Sequence, residues 1–163
     1  MERNERTIAV LNDLIRINND RVEGYEKAIR ETDENDVDLR NIFNRMADES
    51  RKYSRELSES VQRLGGEPAG GTTASGKIYR TWMDVKSAFS KSERKSVLEE
   101  CEYGEDAAQR AYDKALDVDY NLPADVLALV REEKSNLKNS HDTIRSYRDL
   151  HRDADNGRRD RDR

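Results

Sequence analysis

Four long stretches of this chain carry apolar residues at spacings of three and four, and each stretch is broken near its middle by a polar residue. Residues so spaced lie on one face of a helix, so each stretch predicts a helix packed along its length against others. In the first, Ile8, Leu11, Ile15, Asn18, Val22, Tyr25 and Ile29 form the seam, and Asn18 interrupts it. In the second, Leu39, Phe43, Met46, Ser50, Tyr53, Leu57, Val61 and Leu64 follow the same rhythm around Ser50. The third, LEECEYGEDAAQRAYDKAL, places Leu98, Cys101, Glu105, Ala108, Tyr112 and Ala115 on one face with Glu105 at its centre. The fourth runs Val126, Val130, Glu133, Leu137, Ser140, Ile144, Tyr147, with Glu133 as its charged member.

The expected helices span about residues 5–31, 36–64, 92–117 and 123–149, each close to 40 Å long at 1.5 Å per residue. The segment Thr32-Asp33-Glu34-Asn35 is a short turn, which makes helices one and two antiparallel neighbours. Gly65-Gly66 ends helix two in the left-handed manner, and GGEPAGGTTASG is a flexible connector. A shorter helix is expected at about residues 77–89, carrying Tyr79, Trp82, Met83, Val85, Lys86 and Phe89. Connector and short helix together are long enough to carry the chain back along the bundle, so helices two and three run parallel. Two tight hairpins joined by one long crossover give an all-α, ferritin-like antiparallel four-helix bundle over residues 1–150. Pro123 begins helix four, and HRDADNGRRDRDR leaves a charged flexible tail at 151–163.

At 163 residues the chain suits one domain. Charged residues make up 40% of it, a fraction that would suggest disorder were the apolar positions not so periodic. A net charge of −5 argues against a nucleic-acid partner held by bulk positive charge. No apolar run is long enough for a bilayer, and MERNERT lacks a signal core, so the expected place is the cytoplasm, without membrane association. One cysteine allows no internal disulfide.

The polar interruptions raise the question of chemistry. Asn18, Ser50, Glu105 and Glu133 at one level would put two carboxylates, an amide and a hydroxyl inside an apolar bundle, with Glu23, Glu49, Glu102, Asp106 and Asn136 nearby. Such a layer has to be hydrogen-bonded, hydrated, protonated or metal-bound. A di-metal bundle takes one Glu from each of two helices and a Glu-x-x-His pair from each of the others. Here helix two offers Glu49 with Lys52 and helix four offers Glu133 with Asn136. His141 lies two turns beyond Glu133, and His151 stands near the tail. The candidate metal ligands are therefore Glu23, Glu49, Glu102, Glu105, Glu133 and His141, a degenerate set for iron or another divalent metal. The plainer expectation is a structural polar network with no cofactor.

Three further features weigh less. Gly71 to Lys77 spells G-x-x-x-x-G-K, but Ile78 stands where a phosphate loop needs Ser or Thr and no strand precedes it, so no nucleotide is expected. Cys101 lies on a seam between small residues and reads as an inert packing thiol. The crossover aromatics either pin their helix to the bundle or form a contact with a partner or small ligand.

The stretches VLNDLIRINNDRVEGYEKAI, ESVQRLGGEP, YRTWMDVKSAF, VLEECEYGEDAAQRAYDKAL, LPADVLALV and HDTIRSYRDL resemble an uncharacterised bacterial ferritin-like four-helix-bundle family defined by a domain of unknown function. The resemblance covers about residues 5–150 and implies the bundle with its crossover. It brings no activity and no catalytic residues. The resulting expectation is a non-enzymatic bundle, with stress association and homo-oligomerisation among its candidate roles and carboxylate metal binding as the alternative.

Overall fold

The computed structural model describes residues 2–71 and 94–161, with side chains to Leu150. Among these described residues the regular structure is four helices: α1 (Glu2–Glu31), α2 (Val37–Arg63), α3 (Arg94–Leu116) and α4 (Ala124–Arg161). The expected crossover helix at 77–89 and its aromatics lie outside the described residues, as does most of the G-x-x-x-x-G-K stretch. Helical backbone in α4 continues past Asp149, where the periodic pattern ends, to Arg161.

The seams bury as their spacing requires. Leu39, Phe43, Met46, Ser50, Tyr53, Leu57 and Val61 are buried along α2, and all six α3 seam residues are buried. Helix α1 is the exception in detail. Its most buried row is Thr7, Leu11, Leu14, Asn18, Arg21, Tyr25, Ala28, while Ile8, Val22 and Ile29 are only half-buried. The row through residues 21 and 28 has the same three-four rhythm as the row through 22 and 29. The helix is thus rotated slightly from the orientation its apolar residues alone suggest.

Side-chain pairs give the directions of the helices. Asn18 meets Tyr112 and Arg21 meets Glu105, so α1 and α3 are antiparallel. Tyr112 meets Glu133 and Asp106 meets His141, so α3 and α4 are antiparallel. With α1 and α2 joined by the turn at 32–36, α2 and α3 run parallel and the ferritin-like connectivity follows. Arg94 fixes one end of this arrangement: its guanidinium reaches Asp36 at 3.0 Å and Asp38 at 3.2 Å, tying the start of α3 to the start of α2.

At the opposite end, Gly65 adopts φ +83°. The Gly66 amide donates to Val61 O at 2.9 Å and the Gly65 amide to Gln62 O at 3.0 Å, which satisfies the last carbonyls of α2. The following residues turn back along α1. Asn12 Nδ2 donates to Glu67 O, the Ala69 amide donates to Asn12 Oδ1, and Asn19 Nδ2 donates to Gly71 O. The crossover thus begins its return as the connector length demands.

The apolar interior comes in two clusters. One gathers Leu11, Leu14, Ile15, Tyr53, Leu57, Val61, Tyr112, Val126, Val130 and Leu137. The other gathers Tyr25, Ala28, Leu39, Phe43, Met46, Val97, Leu98, Cys101 and Ile144. Between them lies a polar layer.

Candidate functional site

The layer is built from the four residues that interrupt the seams. Asn18, Ser50 and Glu105 are 0% exposed and Glu133 is 1% exposed, so the interruptions do face one another inside the bundle. What joins them is Arg21, itself only 2% exposed. Its Nε donates to Glu105 Oε1 at 2.7 Å and its Nη1 to Ser50 Oγ at 2.8 Å. Nη1 also lies 3.0 Å from Glu49 Oε1 and 3.2 Å from the Met46 carbonyl. The guanidinium carbon stands 5.2 Å from the centre of the Tyr25 ring, a cation–π distance.

Two tyrosines complete the connections. The Tyr25 hydroxyl donates to Glu105 Oε1, the oxygen that also accepts from Arg21. Ser50 Oγ donates to Asn18 Oδ1 at 2.9 Å, Asn18 Nδ2 donates to the Tyr112 hydroxyl at 2.9 Å, and that hydroxyl donates to Glu133 Oε1 at 2.7 Å. A hydrogen-bonded chain therefore runs from Tyr25 through Glu105, Arg21, Ser50, Asn18 and Tyr112 to Glu133, touching all four helices. Glu49, partly exposed, also accepts from Ser140 Oγ at 2.9 Å and leads the layer out into a cleft between α2 and α4 lined by Arg45, Lys52, Tyr53 and Asn136.

Burial sets the protonation of this chain. It opposes the charge on Arg21, but Glu105, Tyr25 and Glu49 outweigh it and the pKa is raised, so the guanidinium is always charged. Burial and the charge of Glu105 push Tyr25 well above the usual phenol range, and burial and Glu133 do the same for Tyr112. Both remain hydrogen-bond donors. Desolvation pushes Glu133 up to about 8 against the opposing hydrogen bond from Tyr112, so it is largely protonated at neutral pH. Burial likewise raises the Cys101 thiol, with Glu105 adding to the effect, which keeps it from forming a thiolate.

A di-metal centre does not fit this layer. Its cation is already present as a guanidinium, between Glu105 and Glu49, and a second cation there would meet that fixed positive charge. None of the layer residues is an imidazole. One oxygen each of Glu105 and Glu133, the Oε2 atoms, has no hydrogen-bond partner among the described residues.

The remaining candidates lie elsewhere. Glu23 is exposed on α1, beside Asn19, Arg51 and Ser54, and does not join the layer. Glu102 and His141 meet on the α3–α4 flank together with Asp106. There His141 Nε2 is 2.6 Å from Asp106 Oδ1, its Nδ1 is 3.4 Å from Asp142 Oδ1, and Arg148 Nη1 is paired with Glu102. Burial opposes charge on this imidazole, but Asp106 and Asp142 outweigh it and the pKa is raised above 6.5. Sequence reading missed Arg21, Tyr25 and Tyr112 as site residues. The signal for the first was its position three residues after Asn18 and four before Tyr25, on the seam rather than beside it.

Among the described residues, no helix is long and apolar enough to cross a membrane. The chain is similar to the solved structure of a point mutant of Dps1 from Mycobacterium smegmatis, with a TM-score of 0.78 and 16% identity over 90% of this chain and 97% of that one. At that identity the likeness is one of fold: an all-α, ferritin-like bundle. No curated protein matches the chain. Residues 6–118 match the domain of unknown function DUF2383, and the chain belongs to that uncharacterised family of ferritin-like bundles.

Proposed function

We propose that this protein is a non-enzymatic ferritin-like bundle of the cytoplasm that acts through association, first of all with copies of itself, rather than through metal chemistry at its centre. The observation that carries this reading is Arg21, whose guanidinium fills the mid-bundle between Glu105 and Glu49. A permanently charged side chain supplies the positive charge that the carboxylates need and leaves them no reason to recruit an ion. Self-association is supported by an apolar groove of about 330 Å³ between α1 and α3, lined by Val10, Leu14, Ile17, Ala111, Ala115 and Val118. Its rim carries Asp13, Arg16 and Lys114, so both signs of charge are available for a second copy approaching in reverse orientation.

The test is an iron-oxidation assay and metal analysis on protein purified without chelator, with light scattering on the same sample. The expected result is no saturable iron oxidation, no change on Glu105→Gln, and a mass above that of one chain. Saturable oxidation abolished by Glu105→Gln would overturn the central claim. Monomer alone at high concentration would remove self-association.

A second reading, divalent-metal binding by carboxylates, is favoured by one observation outside the layer. Glu102, Asp106 and His141 bring three ligand atoms within 4.8 Å of one another.

A further inference from the structure

We propose that Glu102, Asp106 and His141 form a binding site for a first-row divalent metal ion on the α3–α4 flank, with Arg148 as a displaceable side chain that holds Glu102 in the metal-free protein. The proposal rests on the second reading above and gives it a location, a donor set and a competitor.

The geometry begins with spacing. Glu102 and Asp106 are four residues apart on α3, so both carboxylates project from one face. Antiparallel α4 brings His141 to the same level, with Nε2 already 2.6 Å from Asp106 Oδ1. Ligand atoms at about 2.0–2.2 Å from a metal are roughly 3–3.5 Å from each other, so a set lying within 4.8 Å needs side-chain adjustment and no movement of the helices. One imidazole and two carboxylates suit zinc, manganese, cobalt or ferrous iron better than magnesium, which prefers an all-oxygen shell. Three protein ligands on a partly open flank leave further positions for water.

Two observations outside the three ligands point the same way. Asp142 lies on the Nδ1 side of the ring, 3.4 Å away, so the carboxylate that would fix the tautomer is on the far side from the ligands. Next to Asp106 in α3 stands Glu105, fully buried, with Oε2 unpartnered among the described residues.

Arg148 explains how the site rests without metal. Its guanidinium pairs Glu102 through Nη1 and Asp149 through Nη2, at 2.9 Å for the latter. Releasing Glu102 leaves Arg148 its contact with Asp149, so the exchange does not strand the arginine. Affinity should rise when Arg148 is removed.

The experiment is calorimetric and spectroscopic titration of the chelator-stripped full chain with Co2+ and with Zn2+. Apo-state circular dichroism and melting are measured for every variant. We expect about one ion per chain, loss of saturable binding in His141→Ala and Asp106→Asn, and about tenfold weaker binding in Asp142→Asn. We expect severalfold tighter binding in Arg148→Ala and no change in Glu133→Gln. His141 and Asp106 are both partly exposed, so their variants should melt as the parent does. Stoichiometric binding that persists in His141→Ala but is lost in Glu133→Gln would overturn this site while preserving the metal reading. No stoichiometric binding to the parent protein would overturn both.

Discussion

Arg21 Nε lies 2.7 Å from Glu105 Oε1, and both side chains are withdrawn from solvent in the middle of the bundle. The pair joins α1 to α3 across 84 residues of sequence. Desolvating two charges costs several kcal/mol each, and here that cost is offset by Ser50, Glu49 and the Met46 carbonyl, which accept from the guanidinium, and by Tyr25, which donates to Glu105 Oε1.

Removing one partner should therefore be far worse than removing both. Arg21→Met leaves Glu105 buried beside a Tyr25 hydroxyl alone and should cost about 3–5 kcal/mol in denaturant unfolding. Adding Glu105→Met should recover more than half of that loss. If the two single changes simply add, the pair is not coupled as the distances imply.

Glu133 gives a pH signature. Its pKa is about 8 in the folded protein against 4.5 for the ordinary side chain, so the folded state binds the extra proton. Stability associated with this residue is present below pH 4.5 and is lost as pH rises toward 8. The total is no more than about 4–5 kcal/mol, from about 1.4 kcal/mol per unit. Glu133→Gln, which keeps an acceptor for Tyr112, should flatten the stability profile between about pH 5 and 8 and should be neutral or stabilising at pH 8. A parent profile already flat over that range would contradict the assignment.

The Asn18, Ser50, Glu105 and Glu133 layer was legible in the sequence because each residue interrupts an apolar row at a similar depth. The parallel course of α2 and α3 was legible for a related reason, since a long connector with a Gly-Gly start has only one sensible use. Arg21 was not. Apolar periodicity accepts position 21 or 22 equally, and Val22 is the hydrophobic choice, whereas the arginine is buried by partners on α2 and α3 that no local pattern reveals. His141 and Asp106 were both named in the sequence, but their meeting was not, because it depends on how deeply α4 sits against α3.

Gly66 is a close-packing position. A Cβ built there would stand 2.8 Å from Ile8 Cδ1 and 2.9 Å from Cγ2. Gly66→Ala should cost about 1–3 kcal/mol, the usual range for an overpacked contact. Pairing it with Ile8→Ala should return part of the loss, measured by thermal melting. An unaffected Gly66→Ala would mean that Ile8 moves aside freely.

The α1–α3 groove offers a test of association separate from folding. Ala111 lines it and is only half-buried, so Ala111→Glu places a charge at the groove without entering the core. Light scattering should show the assembled species shifting to monomer while the melting temperature of the monomer stays near that of the parent. Retained assembly would place the self-contact on another face.

The polar layer between the two apolar clusters has a consequence for alignment. Hydrophobic seams are tolerant of sliding, because one row of leucines meets another nearly as well after a shift of one turn, about 5.4 Å. Arg21 tolerates no such shift. One turn away from Glu105 along α3 stand Cys101 in one direction and Ala108 in the other, and neither can take a guanidinium. The layer thus acts as a registration mark, fixing how far each helix may travel past its neighbours while the apolar rows merely hold them together.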